Sequence, residues 1–404
     1  MRHELEFPIK NHIDRMAVNY LYLAWKNGWL DEYSEEHFLI KAINNRLKDF
    51  VGKDQLIENN INLLNIVNED GMIKESLFNL NFCINLSQKL QFLDGMFGGN
   101  YIRDFLKGQF AAGKNNYDED SFFEALSEVS VLAFFAPRYK WKQAIYEPLV
   151  TGGSNNKNPE ATLIAFCEYK LYGKSVEGEI KINVEVKSPR FPHDKHKNEK
   201  IVIPGILLTN EGRSLLKEFC AHKGIKYLDP RVSKLKDFLN SAASKFSIPK
   251  YNEINLLYIN WSYRDFPANS FLEAWSLLIN EYNGILRYPK IAYSIGINAE
   301  VFEKITAVIV YTESLEGLMF SDFRYVWQRG RAGSRFRMWI LDEKLQKSEK
   351  EDTSNIIFRT TWMNPSDTKY CFGLMDYNIF TDEKRIEAKA VAKQIETIVI
   401  DNHL

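Results

Sequence analysis

The chain has 404 residues, 45% of them hydrophobic, which suits two or three soluble domains with real cores. Its formal net charge of −1 excludes a uniformly basic nucleic-acid coat, so any anionic partner must be met by local patches. No stretch approaches the roughly 20 apolar residues of a membrane span, and MRHELEFPIKNHIDR at the start has no apolar h-region.

Cys83, Cys167, Cys220 and Cys371 stand far apart with no CxxC pair. Such scattered thiols predict a reduced, cytoplasmic protein without a disulfide framework or zinc site.

Residues 1–115 read as an N-terminal helical domain, with helical apolar spacing in DRMAVNYLYLAWKNGWL and HFLIKAINNRLKDFV. GMFGGN at 95–100 and AAGKNNYDED at 111–120 break the pattern. Residues 116–345 read as an α/β core. SFFEALSEVSVLAFFAP predicts a helix opened by Asp120 or Ser121 and closed by Pro137. ATLIAFCEYKL and EIKINVEVK predict two strands of a hairpin joined through YGKSVEG.

KLKDFLNSAASKF predicts a helix, NLLYINW a short buried strand and FLEAWSLLINEYNGIL a further helix. ITAVIVY and FRMWIL read as strands. This order predicts a mixed central sheet flanked by helices. Residues 346–404 hold a charged linker and a tail ending in the helix EKRIEAKAVAKQIETIVI.

Within INVEVKSP, Ile182, Val184 and Val186 point to one face of a strand, and Asn183, Glu185 and Lys187 to the other. A solvated edge and half of an active site both fit that alternation. Upstream, Pro159-Glu160 opens the preceding strand, and an antiparallel hairpin brings Glu160 toward Glu185 and Lys187. On the helix before it, Glu128 shares a stripe with Val131, Leu132 and Phe135, which fits a cleft-facing acid or a partly exposed helix edge; Glu124, one turn earlier, competes for the former role.

Carboxylates around one point with a lysine beside them suit metal-assisted phosphodiester cleavage. Mg²⁺ takes oxygen ligands and keeps several waters, so a few carboxylates suffice.

FFEALSEVSVLAFF, then NPE, then NVEVKSP resembles the PD-(D/E)XK nuclease superfamily, the restriction-endonuclease-like fold. The likeness covers roughly residues 120–310 and includes the later helix KLKDFLNSAASKF and strand NLLYINW. It implies a metal-dependent endonuclease that hydrolyses DNA. Glu160 and Glu185 would hold Mg²⁺ or Mn²⁺, Lys187 would serve the attacking water, and Glu128 would support the site. Position 160 is Glu where the family pattern usually has Asp. That departure keeps a second expectation alive, a catalytically silent module that binds nucleic acid or scaffolds a complex.

Two basic patches favour a DNA partner. Residues 185–250 hold 14 Lys/Arg against 7 Asp/Glu, and five arginines with no acid lie from Arg324 to Arg337. Arg190, Arg329, Arg331 and Arg335 are the candidate phosphate contacts. Cleavage of both strands with one active site each favours a homodimer, and a partner protein of a restriction or antiviral defence system is the other partner considered. The HxxH of His193 and His196 lies in a polar loop without a cysteine partner, a poor zinc site.

Overall fold

The computed structural model describes residues 19–43, 75–137, 140–148, 158–171, 174–190, 201–261, 267–311, 336–341, 373–375 and 382–404. The described residues up to Tyr146 form one compact unit and those from Glu147 onward a second.

The first unit contains α1 (Asn19–Lys26), α2 (Glu75–Phe97), α3 (Gly99–Lys107), α4 (Glu119–Phe135) and β1 (Trp141–Tyr146). α2 ends inside the expected glycine break, where Gly98 takes a φ of 90° before α3 begins. α4 starts slightly earlier than the sequence suggests. Asp118, not Asp120 or Ser121, is its cap and accepts from the backbone N–H groups of both. The α4 ring of Phe122 packs on His37, Phe82 and Phe110, giving this unit an aromatic centre.

The second unit contains β2 (Ala161–Leu171), β3 (Lys174–Lys187), β4 (Ile201–Ile203), α5 (Asn210–His222), β5 (Lys226–Tyr227), α6 (Val232–Lys245) and β6 (Glu253–Asn260). It continues through α7 (Pro267–Ile279), α8 (Pro289–Ser294), α9 (Glu300–Lys304), β7 (Ala307–Tyr311), β8 (Phe336–Ile340), β9 (Gly373–Met375) and α10 (Asp382–Asp401).

Within the second unit a mixed sheet runs in the order β2-β3-β6-β7-β8. β2 and β3 are the expected antiparallel hairpin, with Ala161 opposite Val184. β3, β6 and β7 are mutually parallel, and β8 returns antiparallel. The chain is thus mixed α/β with helices flanking a mixed sheet. β3 is central and buried along its second half, on both faces.

α6 packs on this sheet because Leu235, Leu239, Ala242, Ala243 and Phe246 recur at helical spacing. They share one core with Leu257, Ile259, Trp261 and Trp275.

α7 stops at Ile279, short of the helix expected through Leu286. The Asn280 side chain accepts from the N–H groups of Tyr282 and Asn283, which offers the backbone a turn instead of another helical bond. Gly284 completes the turn, since a Cβ there would meet the Asn280 backbone at 2.6 Å.

A smaller sheet, in the order β5-β4-β9, was not evident in the sequence. α5 and α10 join it through Val202, Leu216, Cys220, Ile395 and Val399. The last residues clasp the segment before α5, where Leu404 donates to the Leu207 carbonyl and Thr209 to the Asn402 carbonyl. Among the described residues, no helix is long and apolar enough to cross a membrane.

Candidate active site

Antiparallel partners share a face, so Thr162 lies with Asn183 on one side of the sheet, and Ala161 lies with Val184 on the other. Glu160 immediately precedes Ala161 and Glu185 immediately follows Val184, so the hairpin brings two acids 25 residues apart to the same end of this strand pair. The carbonyl of Glu160 accepts from the Glu147 N–H at 2.9 Å, which holds the backbone at the mouth of β2.

Glu185 is 0% exposed, which rules out the solvated-edge reading of INVEVKSP. A carboxylate in such a place needs compensation, because desolvation strongly disfavours the charged form. Two ammonium groups provide it. Lys187 Nζ lies 2.6 Å from Glu185 Oε1, and Lys245 Nζ lies 2.8 Å from the same oxygen. Lys245 Nζ also reaches Glu160 Oε1 at 3.4 Å. The two carboxylate oxygens thus lie no farther apart than those two distances together allow. Glu160 and Glu185 therefore meet at one ammonium, with Lys187 beside Glu185.

Lys245 is the member that sequence reasoning missed. It is the last residue of α6, where a cation also suits the helix's negative end. Its position one residue before Phe246, on the border of the apolar stripe, was the available signal.

The electrostatics are uneven. Burial, reinforced by the charge of Glu185, raises the Glu160 carboxyl to about 7, although Lys245 and Lys187 pull it down. Burial works against the Lys245 ammonium, but Glu185 and Glu160 outweigh it and raise its pKa. Glu185 Oε2 is buried and makes no hydrogen bond among the described residues. Burial alone does not make a site. Glu273 is also buried, but it accepts from the Arg231 N–H at 2.8 Å and the Trp261 indole at 3.0 Å.

A relay of amides and hydroxyls underlies the cluster. Asn183 Nδ2 donates to Asn255 Oδ1 at 2.7 Å, and Asn255 Nδ2 donates to the Ser247 carbonyl at 2.8 Å and the Lys304 carbonyl at 2.6 Å. The Thr306 hydroxyl accepts from the Asn255 N–H at 2.9 Å. The residues that neighbour the site along each strand are therefore fixed by specific bonds, not by apolar contact alone.

Glu128 is 7% exposed on α4, within the first unit, whereas Glu124 is half-buried. Burial singles out Glu128 between the two. Arg190 is exposed just beyond β3. Arg329, Arg331 and Arg335 lie outside the described residues, as do His193 and His196.

No cluster of three or more His, Cys, Asp or Glu suited to a metal occurs among the described residues. The available donors are two carboxylates, one with a buried oxygen lacking a hydrogen bond. This fits a hard divalent cation that keeps most of its waters.

No protein-family model matches the chain, nor does any curated protein or solved structure.

Proposed function

We propose that the protein is a metal-dependent nuclease of the PD-(D/E)XK type that hydrolyses phosphodiester bonds in DNA. The observation that carries this reading is the convergence of Glu160 and Glu185 on one ammonium with Lys187 beside them. Helix α4, strands β2 and β3, and, after the intervening β4, α5 and β5, helix α6 and strand β6 support it, being the segments that the sequence resemblance covers.

Glu160 and Glu185 would hold Mg²⁺ or Mn²⁺, which supplies polarisation of the phosphate and a more acidic bound water. Lys187 would orient the attacking water through its ammonium and stabilise charge growing on the phosphate oxygens. Glu128 enters through the resemblance, as a supporting acid. Arg190, Arg329, Arg331 and Arg335 would grip backbone phosphates.

A catalytically silent module is the second reading. It is favoured by Glu at position 160 and by two lysines that already balance the two acids. Incubating the purified chain with plasmid and linear DNA in Mg²⁺, Mn²⁺ or EDTA separates the two. Nicked or linearised product that disappears in EDTA supports the nuclease. Salt-sensitive binding without cleavage supports the silent module.

A further inference from the structure

We infer that the Lys245 ammonium is an internal counter-ion standing where a divalent cation would sit, so that Lys245 governs how tightly the acidic pair takes a metal. This rests on the metal-binding reading above and adds a competitor built into the chain.

Lys245 Nζ touches one oxygen of each carboxylate, at 2.8 Å for Glu185 and 3.4 Å for Glu160. A cation drawing on both acids needs that same position. Charge points the same way. Two acids face two ammonium groups, so the cluster carries no net negative charge before any metal arrives. A divalent cation would leave it strongly positive unless an ammonium withdraws or an anionic phosphodiester enters.

Lys245 is the ammonium able to withdraw. It ends α6, it is the ammonium in contact with both carboxylates, and its four-carbon stem can swing the charge toward water without moving the helix. Lys187 rises from the same strand as Glu185, two residues on, and touches the same oxygen at 2.6 Å. Metal entry and Lys245 thus compete for the same two oxygens, and an arriving phosphate favours the exchange by supplying negative charge.

The test is Mn²⁺ calorimetry on the full chain without nucleic acid, comparing the parent with Lys245→Met and Lys245→Arg. Glu185→Gln defines which heat belongs to this site. Lys245→Met should bind Mn²⁺ at least about tenfold more tightly than the parent, since one opposing charge at contact distance is removed. Lys245→Arg should show no such gain. Thermal melts give a second reading. In EDTA, Lys245→Met should melt below the parent, and Mn²⁺ should raise its Tm by more than it raises the parent's. Lys245→Gln replaces the Met variant if that variant does not fold. Equal or weaker Mn²⁺ binding by the neutral variant, at a site the parent also uses, would overturn the counter-ion role and leave the metal reading standing. No Glu185-dependent binding in any variant would overturn both.

Discussion

The Thr162 hydroxyl donates to the Asn183 side-chain carbonyl at 2.6 Å, two residues after Glu160 on one strand and two residues before Glu185 on the next. The same relay ends on the Ser247 carbonyl, two residues after Lys245. Each carrier of the acid–ammonium cluster is therefore tied down two residues from its functional side chain. Asn183→Leu should strand the Thr162 hydroxyl and the Asn255 carbonyl oxygen in a buried layer. The expected loss is about 2–4 kcal/mol in urea unfolding. A loss below about 0.5 kcal/mol, the scale of an ordinary surface change, would show that the relay is incidental.

Glu185→Ala should abolish metal-dependent cleavage, while Glu185→Asp should keep part of it because the ligand type is preserved. Glu160→Asp is the informative exchange. Cleavage assays should show it tolerated or activating if the family resemblance is sound. Total loss would mean that the local geometry is built around the longer side chain.

Lys187→Ala should reduce the cleavage rate by about a hundredfold or more, equivalent to about 3 kcal/mol, with little loss of DNA affinity. The assays are cleavage in Mg²⁺ and titration of labelled DNA in Ca²⁺. Cleavage at the parental rate would remove this site from the chemistry.

Removing Arg329, Arg331 and Arg335 together should do the reverse. Binding should weaken, and its salt dependence should flatten by roughly 0.9 per lost phosphate contact on duplex. Parental binding across several salt concentrations would mark the run as ordinary surface.

Glu160 carries a pH signature. Its folded pKa of about 7 lies above its ordinary value of 4.5, because burial and Glu185 disfavour the carboxylate. Between those two values the folded chain binds more protons than the unfolded one, so stability contributed here is full below about pH 4.5 and declines as pH rises to about 7. The limit is on the order of 3 kcal/mol. Urea titrations in EDTA at several pH values should show this decline, and Glu160→Gln should remove it. An unchanged slope in the Gln variant would assign the effect to another group.

The parts of the fold legible in sequence are those with strong local periodicity. Alternation exposed β2 and β3, apolar runs exposed β6 and β7, and a four-residue rhythm exposed α6. β4 and β5 passed unnoticed because three and two residues are too few to show a period. The end of α7 was misjudged because the apolar rhythm continues through Ile285 and Leu286. The turn chemistry of Asn280, Asn283 and Gly284 overrides it. At the site, Glu160, Glu185 and Lys187 were legible because one hairpin joins them. Lys245 was not, since its meeting with Glu160 spans 85 residues and depends on how α6 docks.

The clasp between Thr209 and Asn402 joins positions 193 residues apart, whereas Asn183 and Asn255 in the relay are 72 apart. Closing the longer loop costs more chain entropy, and contacts of large sequence separation are acquired slowly. During refolding, the strands that carry Glu160, Glu185 and the relay should therefore gain protection before α10 settles on α5. The acid–lysine centre would then exist for a time on an unfinished molecule, with the apolar side of α5 still bare. Pulse-labelled hydrogen exchange resolves the order; simultaneous protection of β3 and α10 would show instead that the clasp and the centre assemble as one kinetic unit.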